Sequence, residues 1–214
     1  MTAASDFARF GVATVHEASG RQGLIDVPLI QIVPGSRASG PARTVRCGYG
    51  DNLMVHAALS EVREGEILVL TMPEPQAVAL VGELLAIQAA YRNVAGILVD
   101  AAVRDVDELA AIKLPIWARW IRATGATKDI IGSINIPLLV GGIAIRPNDI
   151  VVLDADGAVV VPMERQEEIF KASQLRDQQE MERRAEYRRG LLAFDLLGLR
   201  ARVEAADSIQ GKET

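Results

Sequence analysis

Ile97-Leu98-Val99-Asp100-Ala101-Ala102-Val103-Arg104-Asp105-Val106-Asp107-Glu108-Leu109, or ILVDAAVRDVDEL, passes from an apolar run to a cation and a carboxylate side by side. Ile97 to Val99 suits a buried strand, and Val106 to Ile112 has the spacing of a short helix. The charged pair stands at the junction. Upstream, Glu66 to Met72 (EILVLTM) reads as a second buried strand, Pro73 and Pro75 open a loop toward Gly82, and ELLAIQAAYRNV from Glu83 reads as a helix. Downstream, Pro115 to Arg119 is a further strand. The alternation of strand and helix predicts an α/β fold with a mixed sheet or two stacked sheets.

The flanks extend this pattern. Residues 7–19 predict a helix stopped by Gly20, Pro34-Gly35 a turn, and Gly40 to Cys47 a strand. Asp51-Asn52 offers an N-cap for the helix LMVHAALSEV. Residues 124–133 are loop-like. Ile136 to Val140 and Ile143 to Ile145 flank Gly141-Gly142, and Ile150 to Leu153 and Ala158 to Val161 flank a hairpin turn at Asp154–Gly157. After Pro162 the composition changes to Glu, Gln and Arg. A long polar helix over 164–189 is expected, stopped by Gly190 and followed by a short helical tail. Its apolar positions (Ile169, Phe170, Leu175, Met181) are sparse, so it is expected to pack on a neighbour. The expected organisation is a domain over 1–163 and a C-terminal helical extension over 164–214.

With 214 residues, 50% of them hydrophobic and only 4% aromatic, the chain can build one core of Val, Ile, Leu and Ala. The formal net charge of -5 and the lack of a basic block argue against nucleic acid as a ligand. Cys47 is the only cysteine and excludes an intrachain disulfide. MTAASDFARF carries no apolar signal core, and no run spans a membrane, so a soluble cytoplasmic protein is expected.

Two places could carry chemistry. In a continuing strand Arg104 and Asp105 would point to opposite faces, so the chain must turn for both to serve one site. One reading makes Asp105 and Glu108 a capping box, with Arg104 a solvated rim residue. The other makes Asp105 a metal ligand and Arg104 a grip for a carboxylate, with Asp100 only a strand-end residue. The second place is Gly82-Glu83-Leu84-Leu85. The first amides of a helix have no intrahelical partner and favour an anion such as a 2-oxo acid carboxylate. Glu83 would then need a divalent cation or its water in between; otherwise it simply complements the helix dipole.

Other motifs are absent or weak. The Asp154–Gly157 stretch lacks the closing Glu of a calcium loop. His16 and His56, the only histidines, form no zinc motif, and each reads as a satisfied structural residue within an apolar helix. Cys47 reads as buried. Nothing around Lys128 suggests the desolvation that a Schiff-base lysine needs.

Taken together, GVATVHEASGR (11–21), GDNLMVHAAL (50–59), VGELLA (81–86), VDAAVRDVDEL (99–109) and NDIVVLDADGAVVVP (148–162) resemble the 4-hydroxy-4-methyl-2-oxoglutarate / 4-carboxy-4-hydroxy-2-oxoadipate aldolase family, part of the RraA-like superfamily. The likeness spans nearly the whole chain, and TVHEA-x-GR with DNLM-x-HAA leans toward the aldolase branch. The resemblance implies a β/β/α swivelling-domain fold and a class II aldolase that releases pyruvate, with oxaloacetate decarboxylation as a side activity. It further implies Mg2+ or Mn2+ held by Asp105, substrate oxygens bound by Arg104, metal-bound water held by Glu83, and a pyruvyl carboxylate bound at Gly82 by the amides of Leu84 and Leu85. The family brings an acid from a neighbour's C-terminal helix, matched here by Glu180 rather than Glu182, in a homotrimer or homohexamer with sites between subunits. Its regulators instead bind a ribonuclease without catalysis. The family commonly has Asp-Gly-x-x-Arg-Asp. Ala101 and Ala102 stand in that stretch here, so a narrower substrate pocket is expected.

Overall fold

Gly11, at φ +82°, divides the N-terminal segment. The single helix expected over residues 7–19 is therefore two pieces, a 3-10 turn at Ala4–Arg9 and α1 at Val12–Ala18. The Val12 N–H donates to Asp154 Oδ2 at 2.8 Å, which fixes α1 to the hairpin. The structure is a computed structural model and describes residues 4–210. It continues through β1 (Ile30–Gln31), β2 (Ala38–Arg46), α2 (Leu53–Glu61), β3 (Ile67–Thr71), β4 (Ala79–Val81), α3 (Glu83–Tyr91), β5 (Gly96–Val103), α4 (Val106–Ile112) and β6 (Ile116–Ile121). Short strands follow at β7 (Ser133–Ile134), β8 (Leu138–Val140) and β9 (Ile143–Ile145), then the β10 (Ile150–Asp154) and β11 (Gly157–Val161) hairpin. A 3-10 turn at Met163–Arg165 leads to α5 (Gln166–Arg188), α6 (Ala193–Leu196) and α7 (Leu199–Gln210).

The chain divides into two units, one ending at Ser173 and the other starting at Gln174. In the first, one mixed sheet has the order β1-β6-β5-β3-β2-β10-β11. The strands β2, β3, β5 and β6 are parallel, and β10, β11 and β1 join antiparallel. Every residue of β3 and β5 is buried, as expected of parallel strands covered on both faces. On one face Leu68, Leu70, Ile97 and Val99 pack with residues of α2, α3 and α4, among them Val55, Leu85 and Leu109. On the other, Ile67, Val69, Leu98 and Trp117 pack with Leu138, Val140 and Ile145 of the β8–β9 pair. Helices, large sheet and small sheet give the expected β/β/α layering. A third cluster joins Phe7, Phe10 and Val15 to Val152, Val159 and Ile169.

The loop expected before Gly82 contains β4, and β1 and β7 also arise where no strand was expected. Each is two or three residues long, too short to show a period. Gly190, at φ +89°, stands just after α5, where a left-handed residue commonly ends a helix. Among the described residues no helix is long and apolar enough to cross a membrane.

Arg43 and Glu66 form a buried charged pair in the first unit. Arg43 donates from Nε and Nη2 to the two oxygens of Glu66 at 2.9 and 2.8 Å, and from Nη1 to Asn135 Oδ1 at 3.1 Å. Glu66 also accepts the Arg63 N–H at 2.8 Å. Removing one partner strands the other charge, so Glu66→Ala is expected to cost about 3–5 kcal/mol. Glu66→Leu combined with Arg43→Met should restore most of that loss. Urea unfolding of the two variants checks both.

Candidate active site

Two parallel strand ends lie side by side. Val81 of β4 pairs with Val103 of β5, and each strand runs directly into a helix. The Arg104 N–H donates to the Val81 carbonyl at 3.1 Å and closes the pair. Asp105 then turns the chain at φ 60° and ψ 47°. This left-handed conformation is one that Asp, with its short polar side chain, tolerates better than most residues. The turn brings the neighbouring side chains together, with Arg104 Nε 3.6 Å from Asp105 Oδ2.

The capping-box reading fails here. Asp105 makes no side-chain bond to its own helix; only its backbone carbonyl does so, accepting the Leu109 N–H at 2.9 Å. Its Oδ2 instead accepts the N–H of Glu83, at 3.1 Å, from the first residue of the neighbouring helix. The left-handed backbone swings the carboxylate away from α4 and toward α3. The side chains of Arg104 and Asp105 remain 48% and 39% exposed.

A cavity of about 420 Å3 opens in front of this pair, lined by Gly82, Glu83, Leu84 and Leu85 together with Arg104 and Asp105. Six of the residues singled out from the sequence thus meet on one surface. The first bond of α3 runs from the Ala86 N–H to the Gly82 carbonyl at 3.1 Å. The amides of Leu84 and Leu85 come ahead of it and have no partner in their own helix. Glu108 lines the same cavity. Glu180 belongs to the second unit, where it pairs with Arg176 and Arg184 at 3.1 Å each along α5. Glu182 lies on the same helix, 3.5 Å from Gln178 Nε2.

Ala101 and Ala102 are not among the residues that line the cavity. Both are fully buried in β5, where β5 shifts register against β6. Asp100 is buried as well, accepting from Arg119 Nη1 at 3.1 Å and Thr71 Oγ1 at 3.3 Å. Burial pushes its carboxyl up, against the opposing pull of Arg119.

The far wall was not foreseen. It carries Asn52 and His56 from α2 and its cap, and Lys128 from the loop after β6. Asn52 donates to the Leu80 carbonyl at 3.0 Å, but its Oδ1 is buried with no partner among the described residues. His56 Nε2 is likewise buried and has no partner among the described residues, so the reading of His56 as satisfied does not hold there. His16, by contrast, lies 3.2 Å from the Gln22 carbonyl through Nδ1. Both stand in the DNLM-x-HAA stretch, and the four-residue step from Asn52 to His56 places them on one side of the helix start.

Asp51 holds the Lys128 loop in place. One of its oxygens accepts the Leu53 N–H at 2.8 Å. The other accepts the Thr127 hydroxyl at 2.7 Å, the Asp129 N–H at 2.6 Å and the Ile130 N–H at 3.2 Å. Burial alone would raise this carboxyl, but the donors prevail and lower it to about 2. The buried Cys47 beside it is pushed up to about 12, first by burial and then by the Asp51 charge.

Comparison with known proteins gives a consistent picture. The RraA-like family, described as Aldolase/RraA, matches residues 12–160. A protein of Halalkalibacterium halodurans named "Putative 4-hydroxy-4-methyl-2-oxoglutarate aldolase" is 33% identical over 165 residues, which is 77% of this chain and 76% of that one. Among solved structures, Streptomyces coelicolor RraAS2, titled an unusual member of the RNase ES inhibitor RraA protein family, is 28% identical with a TM-score of 0.70. The match covers 83% of this chain and 96% of that one. The RNA-processing inhibitor RraA of Thermus thermophilus is 27% identical with a TM-score of 0.64, covering 70% and 91%.

The acidity of Asp51 provides a test of the loop. Its folded pKa lies below the ordinary carboxylate value, so its contribution is full above about pH 4 and is lost as pH falls toward 2. Asp51→Asn should cost about 2 kcal/mol at neutral pH, the scale of hydrogen bonds to a charged acceptor. The gap between wild type and variant should shrink through that acid window, as read by thermal unfolding at a series of pH values.

Proposed function

The chain belongs to the RraA-like family, and from that premise we propose that it is a class II pyruvate aldolase. It would cleave a 4-hydroxy-2-oxo acid such as 4-carboxy-4-hydroxy-2-oxoadipate or 4-hydroxy-4-methyl-2-oxoglutarate, with oxaloacetate decarboxylation as a side activity. The observation that carries this reading is the Asp105 carboxylate turned off its own helix, beside Arg104, at a cavity bounded by a helix start.

The donor set fits a hard, well-hydrated cation. Among the described residues no three His, Cys, Asp or Glu side chains group to hold a metal. Asp105 offers one carboxylate, whose Oδ1 accepts no hydrogen bond among the described residues, and Glu83 and Glu108 line the same cavity. A single protein carboxylate with water and substrate oxygens is a usual arrangement for Mg2+, and Mn2+ accepts similar ligands. Such an ion, bound by Asp105, would supply Lewis-acid stabilisation of charge on the 2-oxo group.

The remaining roles belong to the chain's own residues. The amides of Leu84 and Leu85 bind the 2-oxo acid carboxylate, which Gly82 allows close to the backbone. Arg104 holds substrate oxygens and places fixed positive charge where negative charge develops. Glu83, through a water, takes the C4 hydroxyl proton as the C3–C4 bond breaks. The bonding pair stays on the three-carbon fragment as an enolate, and protonation at C3 yields pyruvate. Loss of CO2 from oxaloacetate leaves the same enolate. Glu180 from a neighbouring copy's C-terminal helix completes the acid–base set, in a trimer or hexamer.

A second reading is supported by the two RraA structures, which are nearly as similar as the aldolase relative. It makes this chain a protein-binding regulator of a ribonuclease, with no catalysis. Pyruvate release from both hydroxy acids and from oxaloacetate, with and without EDTA, separates the two. The aldolase reading expects metal-dependent turnover. Its absence, together with inhibition of a ribonuclease, would favour the regulator. Asp105→Asn keeps the left-handed turn and an acceptor for Glu83 but removes the charge. It should abolish Mn2+ binding, followed by electron paramagnetic resonance. Arg104→Ala should retain the metal and lose more than about a hundredfold in rate.

A further inference from the structure

Arg104 is a long side chain, nearly half exposed, yet backbone hems it in on two sides. At Gly82 an added Cβ would run first into Asp105 Oδ2 and would stand 3.1 Å from both Cγ and Nε of Arg104. At Gly125 it would stand 2.7 Å from Nη1 and 3.6 Å from Cζ, against the guanidinium itself. Gly82 has a φ of -136° and Gly125 is not among the left-handed glycines. Backbone conformation therefore does not explain why either position lacks a side chain. The Asp105 carboxylate and the Arg104 side chain crowd Gly82, and the guanidinium itself crowds Gly125.

The segment carrying Gly125 cannot easily withdraw. Ala79 bridges to Gly125, and the Ala79 N–H donates to the Thr124 carbonyl at 2.8 Å. Two residues on, the Asn52 N–H donates to the Thr127 carbonyl at 2.9 Å and the Thr127 N–H to the Gly50 carbonyl at 3.0 Å. Asp51 ties down the next turn. If a methyl group is placed at residue 125, the flexible partner must give way, and that partner is the cation.

We propose that Gly125 is a positioning residue: its bare backbone sets where the Arg104 guanidinium stands at the mouth of the cavity. Its effect on rate rests on the aldolase reading; its effect on position does not. A displacement on the order of 1 Å in a charge contact can cost about a hundredfold. Gly125→Ala should therefore lower kcat at least about tenfold, with Mn2+ affinity and thermal unfolding unchanged. In an Arg104→Ala background the same substitution should alter the rate by less than about twofold, because nothing remains to be displaced. Equal losses in the two backgrounds, or no loss in the first, would overturn the proposal. So would misfolding of Gly125→Ala in both backgrounds, which places the cost in the backbone; folding restored by Arg104→Ala would support it. If the wild-type protein releases no pyruvate, the aldolase reading fails alone. A crystal structure of Gly125→Ala then decides: a shifted guanidinium upholds the positioning role, and an unmoved one rejects it.

Discussion

The hydrogen bond from the Glu83 N–H to the Asp105 carboxylate joins two strand–helix junctions that lie 22 residues apart in the chain. Without it, β4–α3 and β5–α4 would be two adjacent units of an ordinary parallel sheet, each ending in solvent. With it, the start of one helix and the turn into the next share a single charged group. The cavity lies where that link is made, at the carboxyl ends of parallel strands, a common place for ligands in α/β sheets. The left-handed backbone at Asp105 is the enabling constraint, since a regular helical entry would have returned the carboxylate to its own amides.

The opposite wall of the cavity is secured differently. Four donors converge on Asp51, three of them from the loop that carries Lys128. The loop is therefore as well satisfied as a piece of secondary structure, although it has little of its own. Asn52 and His56 meet it from α2 with buried atoms that have no partner among the described residues. A loose loop would let water reach those atoms and relieve the cost. Such buried groups are costly unless something pairs with them.

Much of this was legible in the chain. The core strands β3, β10 and β11 are apolar runs bounded by Gly, Pro or charge, and their type and place follow from composition; β5 was legible only as Ile97 to Val99, because Asp100 in its middle hid the continuation to Val103. The pairing of Arg104 with Asp105 could be posed from sequence, but its outcome could not. An Asp followed by Glu three residues later is a sound cap signal, and only the backbone angles of Asp105 overrule it. β1, β4 and β7 were invisible because two or three residues carry no period; their partners, far off in sequence, make them strands. Ala101 and Ala102 misled for the opposite reason. They adjoin the charged pair in sequence, yet a strand hides its residues completely one step before it exposes the next. Gly125 offered no signal, because its meaning depends on a side chain 21 positions away.

Cys47 has a practical bearing. It is the chain's only thiol, it is 1% exposed, and burial together with the Asp51 charge keeps it protonated far above neutral pH. Alkylating and maleimide reagents attack thiolates, so the native protein is in effect silent toward them. A spectroscopic label placed through an introduced surface cysteine would therefore report from one chosen address, with no need to strip the natural residue first.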